Sequence, residues 1–367
     1  MTTKNFGKAI DRLIGKEHLT RAETYDYFSA VMANRETEMN QGAFLAALTA
    51  KGATAEEIAA IWQVVYEEDT VKVVPEIDLP LAENSGTGMD KIKTFNISTA
   101  ASVVAASCGV AMARHGARAI TSTCGTVDVA EAIGINVETD CDNIGKSIEA
   151  CGIGLFNGMS AKVHPSGLGR ILSNISFGSV LNIAASLANP VKIEYGVRGV
   201  NDPEMLQDVA GIMQGIGYRR GVVLHGFQDD GTPGIDEAST LGKTEYAEIK
   251  ADGKISFDTF YPEDFGLKRA CTRDIMAVGS VEAEAKRLVQ VLSGEKESPE
   301  SDIVLLNAAL LLYVTGISDT MQKGYERAAK ALYEGDSYQK LAQWVSCQGE
   351  ADLEMAFQRL NRFREVV

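Results

Sequence analysis

Residues 191 to 226 constrain the fold of this chain most. VKIEYGV is a β-branched apolar run, DPEMLQDVAGIMQGIG has helical spacing, and GVVLHG is apolar again. Strand, helix and strand in that order make a crossover unit of the doubly wound kind, which requires a mainly parallel central sheet. The same alternation precedes it. GVAMA reads as a strand with a helix over 98–108 before it, VDVAEAIG as a short helix, and SIEACGIGLF as a helix running into a strand. TEYAEIKADGKISFDTF, residues 244–260, alternates around Asp252-Gly253 and predicts a β-hairpin. Helices are expected again over 281–293 and 302–315, and residues 350–367 read as a charged amphipathic helix forming a C-terminal extension.

Upstream of residue 70 there is no strand signal. Phe6, Ile10, Leu13 and Ile14 recur at helical spacing. Thr20 with Glu23, and Thr54 with Glu57, are capping-box pairs opening two helices. MNQGAFLAALTAKG reads as a third helix closed by Gly52. The expected fold class is α/β: a small all-helical N-terminal domain over 1–70 and a large α/β domain over 71–349. The junction is the stretch from Val71 to Leu81, which carries Pro75 and Pro80 and lacks alternation.

Charge excludes one class of partner. Thirty-five basic and 50 acidic residues leave a net charge of −15, and no cluster of four basic residues appears. A general nucleic-acid binder carries the opposite footprint. The six cysteines are scattered without a CxxC pair or zinc spacing, so they read as thiols of a reducing compartment. The N-terminus has no apolar signal core, and no window reaches ~18 uninterrupted apolar residues. A soluble cytoplasmic protein is expected.

Chemistry concentrates in three stretches. The first is GTGMDKIKTFNIST, with Gly86, Gly88, Asp90, Thr94, Asn96, Ser98 and Thr99, followed at once by the apolar helix. Glycine-exposed N–H groups and a helix start favour phosphate, hydroxyls add hydrogen bonds, and a carboxylate can hold a magnesium ion that bridges phosphates. The second is RHGARAITSTCGTVDVAEAIG, with Arg114, His115, Arg118, Thr121 and further Ser/Thr hydroxyls before a helix starting near Val127. A capped helix after an ordinary turn, with Ser98 or Thr99 as the cap in the first case, is an equally valid reading of either stretch alone. The third is Asp236-Glu237, soon after the strand GVVLHG, where adjacent carboxylates suit magnesium; Asp229 and Asp230 qualify by charge alone. No Ser–His–Asp or Cys–His arrangement points to a nucleophile.

The order of these segments resembles the anthranilate phosphoribosyltransferase family, within the nucleoside-phosphorylase-like phosphoribosyltransferases of glycosyltransferase family 3. The resemblance runs from about residue 4 to 335, through TAKGATAEEIA, TFNIST, the RHG…DVAEAIG block, His164-Pro165, LANP, GVVLHG, GIDEAS, YPEDFGL, LSGEK and VLLNAALLLYVTG. It implies a homodimeric, magnesium-dependent enzyme of tryptophan biosynthesis. The donor would be 5-phosphoribosyl-1-pyrophosphate and the acceptor an aromatic amine. It implies that helices around 168–190 join the helical domain. It places Gly86, Gly88, Asp90, Thr94, Asn96, Ser98 and Thr99 on the donor segment, Arg114 where the family usually has Lys, and Thr121 in the pyrophosphate loop. It also implies that Ser98, Asp236 and Glu237 contact the metal. No catalytic nucleophile or strong base is implied.

Departures gather on the acceptor side. The family loop GTGGDG is GTGMDK here, with Met89 and Lys91 for two glycines. Ala117 stands where Asn usually follows HG, and Ala185-Ser186 where Gly-Pro precedes LTNP. The resemblance implies an acceptor-binding arginine between His164 and Asn182, where Arg170 is the only arginine and the segment is about two residues short. The pattern leaves room for a different aromatic or heterocyclic nitrogen acceptor. Some relatives of this kind bind nucleic acid without catalysis, which the net charge of −15 argues against here.

Overall fold

The structure, a computed structural model, describes residues 3–87, 92–119, 124–175, 177–349 and 351–364. Four helices precede the first strand: α1 (Thr3–Ile14), α2 (Arg21–Met32), α3 (Glu38–Lys51) and α4 (Ala55–Val64). Both capping boxes form. Thr20 and Thr54 accept from the N–H groups of Glu23 and Glu57, and their own N–H groups donate back to those carboxylates. α3 ends at Gly52, whose φ of 86° suits a residue without Cβ.

The proline-containing junction is pinned on both sides. Val71 N–H donates to the Val163 carbonyl and Val73 N–H to that of Pro190. It leads into β1 (Leu81–Ser85), a strand with sequence LAENS that polarity hides from any hydrophobic pattern. Then follow α5 (Ile97–Ser107), β2 (Ala111–Gly116), α6 (Thr126–Ile133), α7 (Cys141–Cys151), β3 (Ile153–Asn157), α8 (Leu168–Asn174) and α9 (Val180–Ser186). The crossover unit is β4 (Tyr195–Gly199), α10 (Leu206–Ile216) and β5 (Arg220–Phe227). A short β6 (Pro233–Ile235) and the hairpin β7 (Thr244–Ile249) and β8 (Ile255–Phe260) come next. The remainder is helical: α11 (Thr272–Ile275), α12 (Val281–Leu292), α13 (Pro299–Val314), α14 (Met321–Tyr333), α15 (Asp336–Gly349) and α16 (Leu353–Arg364).

The strands form one sheet in the order β3-β2-β1-β4-β5-β7-β8, with β6 paired to β5. The five from β3 to β5 are parallel, while β6, β7 and β8 run antiparallel. Alternation along the strands gives the sheet two buried faces. Ala82, Met112, Leu155 and Val197 pack with α5, α6 and α12 to α16; Ala113, Phe156 and Val223 pack with α1 to α4 and α7 to α10. α8 and α9 lie against the N-terminal helices. Trp62 Nε1 donates to the Leu187 carbonyl at 2.9 Å, and the buried Asp69 carboxylate accepts from the N–H groups of Gly167 and Leu168 at the start of α8.

The C-terminal helices complete the α/β layer. α16 buries Ala356 and Leu360 in the core beside α12 and α15. α15 covers the open edge of β3. Leu155 N–H donates to Gln348 Oε1 at 2.9 Å, and Gln348 Nε2 donates to the Leu155 carbonyl at 2.8 Å. One side-chain amide thereby satisfies both exposed backbone groups of an edge residue.

Candidate active site

Polar residues converge at the C-terminal ends of β1, β2 and β4, where open parallel sheets bind ligands. Gly86 and Thr87 leave β1 there. Gly88 and Asp90, with Met89 and Lys91, lie outside the described residues, as does Thr121. Thr94 forms an antiparallel bridge with Met276. α5 begins at Ile97 with Asn96 as its N-cap, and Asn96 makes no side-chain capping bond. Ser98 and Thr99 therefore occupy the first turn, which corrects the reading of either as the cap. In that turn Ile97 N–H donates to the Phe95 carbonyl and Ser98 N–H supports the Glu237 carboxylate.

Asp236 and Glu237 follow β6, which folds back along β5, so they do not leave a parallel strand directly as the sequence suggested. Two side chains hold their loop. His225 takes the Nδ1–H tautomer, because it donates to the Val200 carbonyl at 2.7 Å while Nε2 accepts from Gly234 N–H. Asn307 of α13 donates to the Ala238 carbonyl and accepts from Ala238 N–H. The loop lies so close to β1 that a Cβ on Gly86 would sit 2.2 Å from Asp236 Oδ2. Thr87 Oγ1 lies 3.2 Å from the same oxygen, and Ser98 Oγ donates to Glu237 Oε1 at 2.5 Å. Burial and the adjacent Asp236 charge push the Glu237 carboxyl up to about 8, against the opposing effects of Ser98 and Arg114. Asp229 and Asp230 are occupied elsewhere, by Arg269 and by Thr232.

Arg114 of β2 is 2% exposed, and its Nε and Nη1 have no hydrogen-bond partner among the described residues. Burial brings its guanidinium down to about 10, although Glu237 and Glu83 favour the charge. The Thr99 hydroxyl is likewise buried without a partner. Native interiors rarely leave such donors unpaired, and donors of this kind suit a multi-oxygen anion. Among the described residues no three His, Cys, Asp or Glu side chains gather to hold a metal. Two carboxylates and a hydroxyl fit a divalent ion whose remaining ligands come from phosphate and water, the usual manner of magnesium. Arg118 is already committed, paired with Asp128 and Glu131.

A second cluster lies on the opposite face of the sheet, toward the helical unit. Alternation puts Asn84 and Arg114 with the α5 face, and Glu83, Ser85, His115 and Arg198 with the other. His115 Nε2 meets His164 Nε2 at 3.3 Å, and His115 Nδ1 meets the Ser186 carbonyl at 3.4 Å. Both imidazoles are neutral. Burial, then the neighbouring His164 and Arg198, lower His115 to about 3, and burial lowers His164 to about 4. Arg198, 2% exposed, donates to the hydroxyls of Ser85 and Ser186.

Sequence reasoning missed Arg198, Ser85 and Glu83. The available signal was an arginine inside the apolar strand VKIEYGVRGV, near its C-terminal end. Arg170 is not brought into either cluster. It donates to Gln41 Oε1 at 2.9 Å and to the Val31 and Met32 carbonyls, where it closes the C-terminus of α2.

Two family models match the chain: the helical bundle domain of a glycosyl transferase family over residues 8–68 and its a/b domain over 79–338. The anthranilate phosphoribosyltransferase of Methanothermobacter thermautotrophicus is 32% identical over 351 residues, covering 93% of this chain and 97% of the relative. That of Streptococcus sanguinis is 34% identical over 336 residues, covering 91% and 97%. The crystal structure of the Thermus thermophilus anthranilate phosphoribosyltransferase superposes with a TM-score of 0.83 at 31% identity, covering 93% of this chain and 99% of that one. The Saccharomyces cerevisiae enzyme, solved in complex with PRPP and Mg, shares the fold at 21% identity with a TM-score of 0.82. The two matched domains, the relatives that span nearly the whole chain and the anion-seeking site at the sheet edge agree: the chain belongs to the anthranilate phosphoribosyltransferase family and is a phosphoribosyltransferase.

Proposed function

We propose that this enzyme transfers the phosphoribosyl group of 5-phosphoribosyl-1-pyrophosphate to an aromatic amine, anthranilate first among them, in a magnesium-dependent reaction of tryptophan biosynthesis. The observation that carries this reading is the buried Arg114 guanidinium near Glu237, whose Nε and Nη1 have no hydrogen-bond partner among the described residues. Pyrophosphate departs from ribose C1 as the amine attacks from the other face, and positive charge develops on the ribose. Arg114, Thr99 and the first turn of α5 hold the departing oxygens and stabilise their charge. Ser98, Asp236 and Glu237 would hold a magnesium ion, which would supply further neutralisation of the pyrophosphate charge. No side chain acts as a nucleophile, and the neutral His115 and His164 line the side from which the amine arrives.

The donor segment in this proposal comprises Gly86, Gly88, Asp90, Thr94, Asn96, Ser98 and Thr99, with Thr121 assigned to the pyrophosphate-binding loop. The division into a helical domain of 1–70 joined by 168–190, an α/β domain of 71–349 and an extension over 350–367 belongs to the same reading, as do a cytoplasmic location and a homodimer paired through the helical domain. Light scattering that gives a monomer mass at micromolar concentration would remove the dimer.

A different aromatic or heterocyclic acceptor is the second reading, favoured by the commitment of Arg170 to α2. A pyrophosphate-release assay with the phosphoribosyl donor, run against a panel of aromatic amines and nitrogen heterocycles, decides between them. Absence of release with every acceptor overturns both.

A further inference from the structure

The cluster on the helical-unit face contains a buried cation with an unusual set of partners. Arg198 is paired in register with Ser85 on β1, immediately before Gly86. Its two nearest acceptors are hydroxyls, those of Ser85 and Ser186, and the nearest carboxylate oxygen, Glu83 Oε1, is 3.9 Å away. Glu83 itself already accepts from the Tyr218 hydroxyl and from Asn189 Nδ2 at 3.0 Å. Glu83 is thus hydrogen-bonded to two other donors, and the closest contacts of the Arg198 guanidinium are the two neutral hydroxyls.

The two hydroxyls differ in what they have left to offer. Ser186 Oγ donates to the Ile183 carbonyl at 2.8 Å, so its hydrogen is used. Ser85 is partly exposed, and among the described residues nothing accepts its hydrogen. Because a guanidinium N–H occupies one lone pair of Ser85 Oγ, the hydroxyl hydrogen must turn elsewhere, and the charge behind it makes it a stronger donor. Arg198 is too deeply enclosed to reach a ligand itself. Neutral His115, attached to the same Ser186 through its carbonyl, adds an aromatic surface without adding charge.

We infer that Ser85, backed by Arg198, is the group that selects an anionic acceptor. Its hydroxyl donates to the acid group of an aromatic amine, with Arg198 as a positioning residue that aims and polarises it. The inference rests on the phosphoribosyltransferase reading above and gives the cation role there expected of Arg170 to a different arginine on a different element.

The experiment compares anthranilate with its uncharged amide, 2-aminobenzamide, in wild type, Ser85→Ala, Ser85→Thr and Arg198→Lys, with donor KM measured in each. Ser85→Ala should raise the anthranilate KM at least ~10-fold, the effect of losing one charge-assisted hydrogen bond, and leave the amide and donor KM within about twofold. Ser85→Thr keeps the hydroxyl and should restore most of the discrimination. Arg198→Lys keeps the charge but not the fork, and should show an intermediate loss of it. An equal rise for both acceptors, or a change confined to donor KM, overturns the assignment. So does wild-type enzyme that uses the amide as well as the acid, and in that case the functional reading stands. Wild-type enzyme that releases pyrophosphate with neither of these nor any other amine overturns the functional reading and this inference with it.

Discussion

Ser98 and Glu237, 139 residues apart in the chain, share a 2.5 Å hydrogen bond that joins the first turn of α5 to the loop after β6. The contact places a carboxylate of one loop against the anion-seeking start of a helix. Burial and the adjacent Asp236 charge oppose a second negative charge there and raise the Glu237 carboxyl to about 8, and a bound divalent cation would relieve that repulsion. Asp236→Asn with Glu237→Gln should therefore weaken magnesium-dependent donor binding tenfold or more, ~1.4 kcal/mol, without unfolding the protein. Calorimetric titration of donor with and without magnesium checks this; unchanged affinity in the folded double variant refutes the metal role.

Arg114 carries the opposite trade. A buried guanidinium with unpaired Nε and Nη1 is costly until an anion arrives. Arg114→Met fills similar space without charge. It should raise the stability of the ligand-free protein by about 1 kcal/mol while donor affinity falls at least ~10-fold. A thermal midpoint that drops together with unchanged donor affinity would show that Arg114 is a structural residue.

Acid should loosen the helical unit through Glu57. Burial raises its pKa, but hydrogen bonds from Lys51 and the N–H groups of Thr54 and Leu19 outweigh burial and leave it below the ordinary carboxylate value. The contribution of a depressed carboxylate is present above its unfolded-state pKa, near ~4.3, and is lost as pH falls through the folded-state value. Unfolding followed across pH should show stability falling below about pH 4 in wild type. Glu57→Gln should flatten that limb and cost about 3 kcal/mol at neutral pH, because Lys51 is left buried without its partner. Parallel acid limbs in the two proteins would contradict this role.

The covered edge of β3 has its own test. Gln348→Ala removes both partners of the Leu155 backbone and the acceptor of Trp344 Nε1. Burying those groups unpaired should cost about 2 to 4 kcal/mol, with faster amide exchange at Leu155. Exchange at Leu155 equal to wild type would mean that water satisfies the edge.

The sequence by itself determined the local elements. Capping boxes at Thr20 and Thr54, the turn at Gly52 and the hairpin at Asp252-Gly253 depend on contacts within a few residues, and the β4–α10–β5 unit shows in its alternation of apolar runs with a helical period, so spacing alone reveals them. It also marked Ser98, Arg114, Asp236 and Glu237, since glycine-rich turns and adjacent acids leave a signature in the chain.

Only the tertiary structure decided what those residues face. β1 escaped notice because its polar side chains, Glu83 and Asn84, are buried against Tyr218, Asn189 and Ser102, partners 18 to 135 residues away. Arg170 and Arg198 are alike as letters. One closes a helix through backbone carbonyls, and the other stands behind Ser85 at the sheet edge. The place of Arg198 follows from sheet order and strand alternation, which bring β1 between β2 and β4 and turn Arg114 and Arg198 to opposite faces, and that of Arg170 from the packing of α8 on α2. Pairing between distant strands is not encoded in any single segment, and the physical reason is that its energy resides in contacts that exist only once the chain has closed on itself.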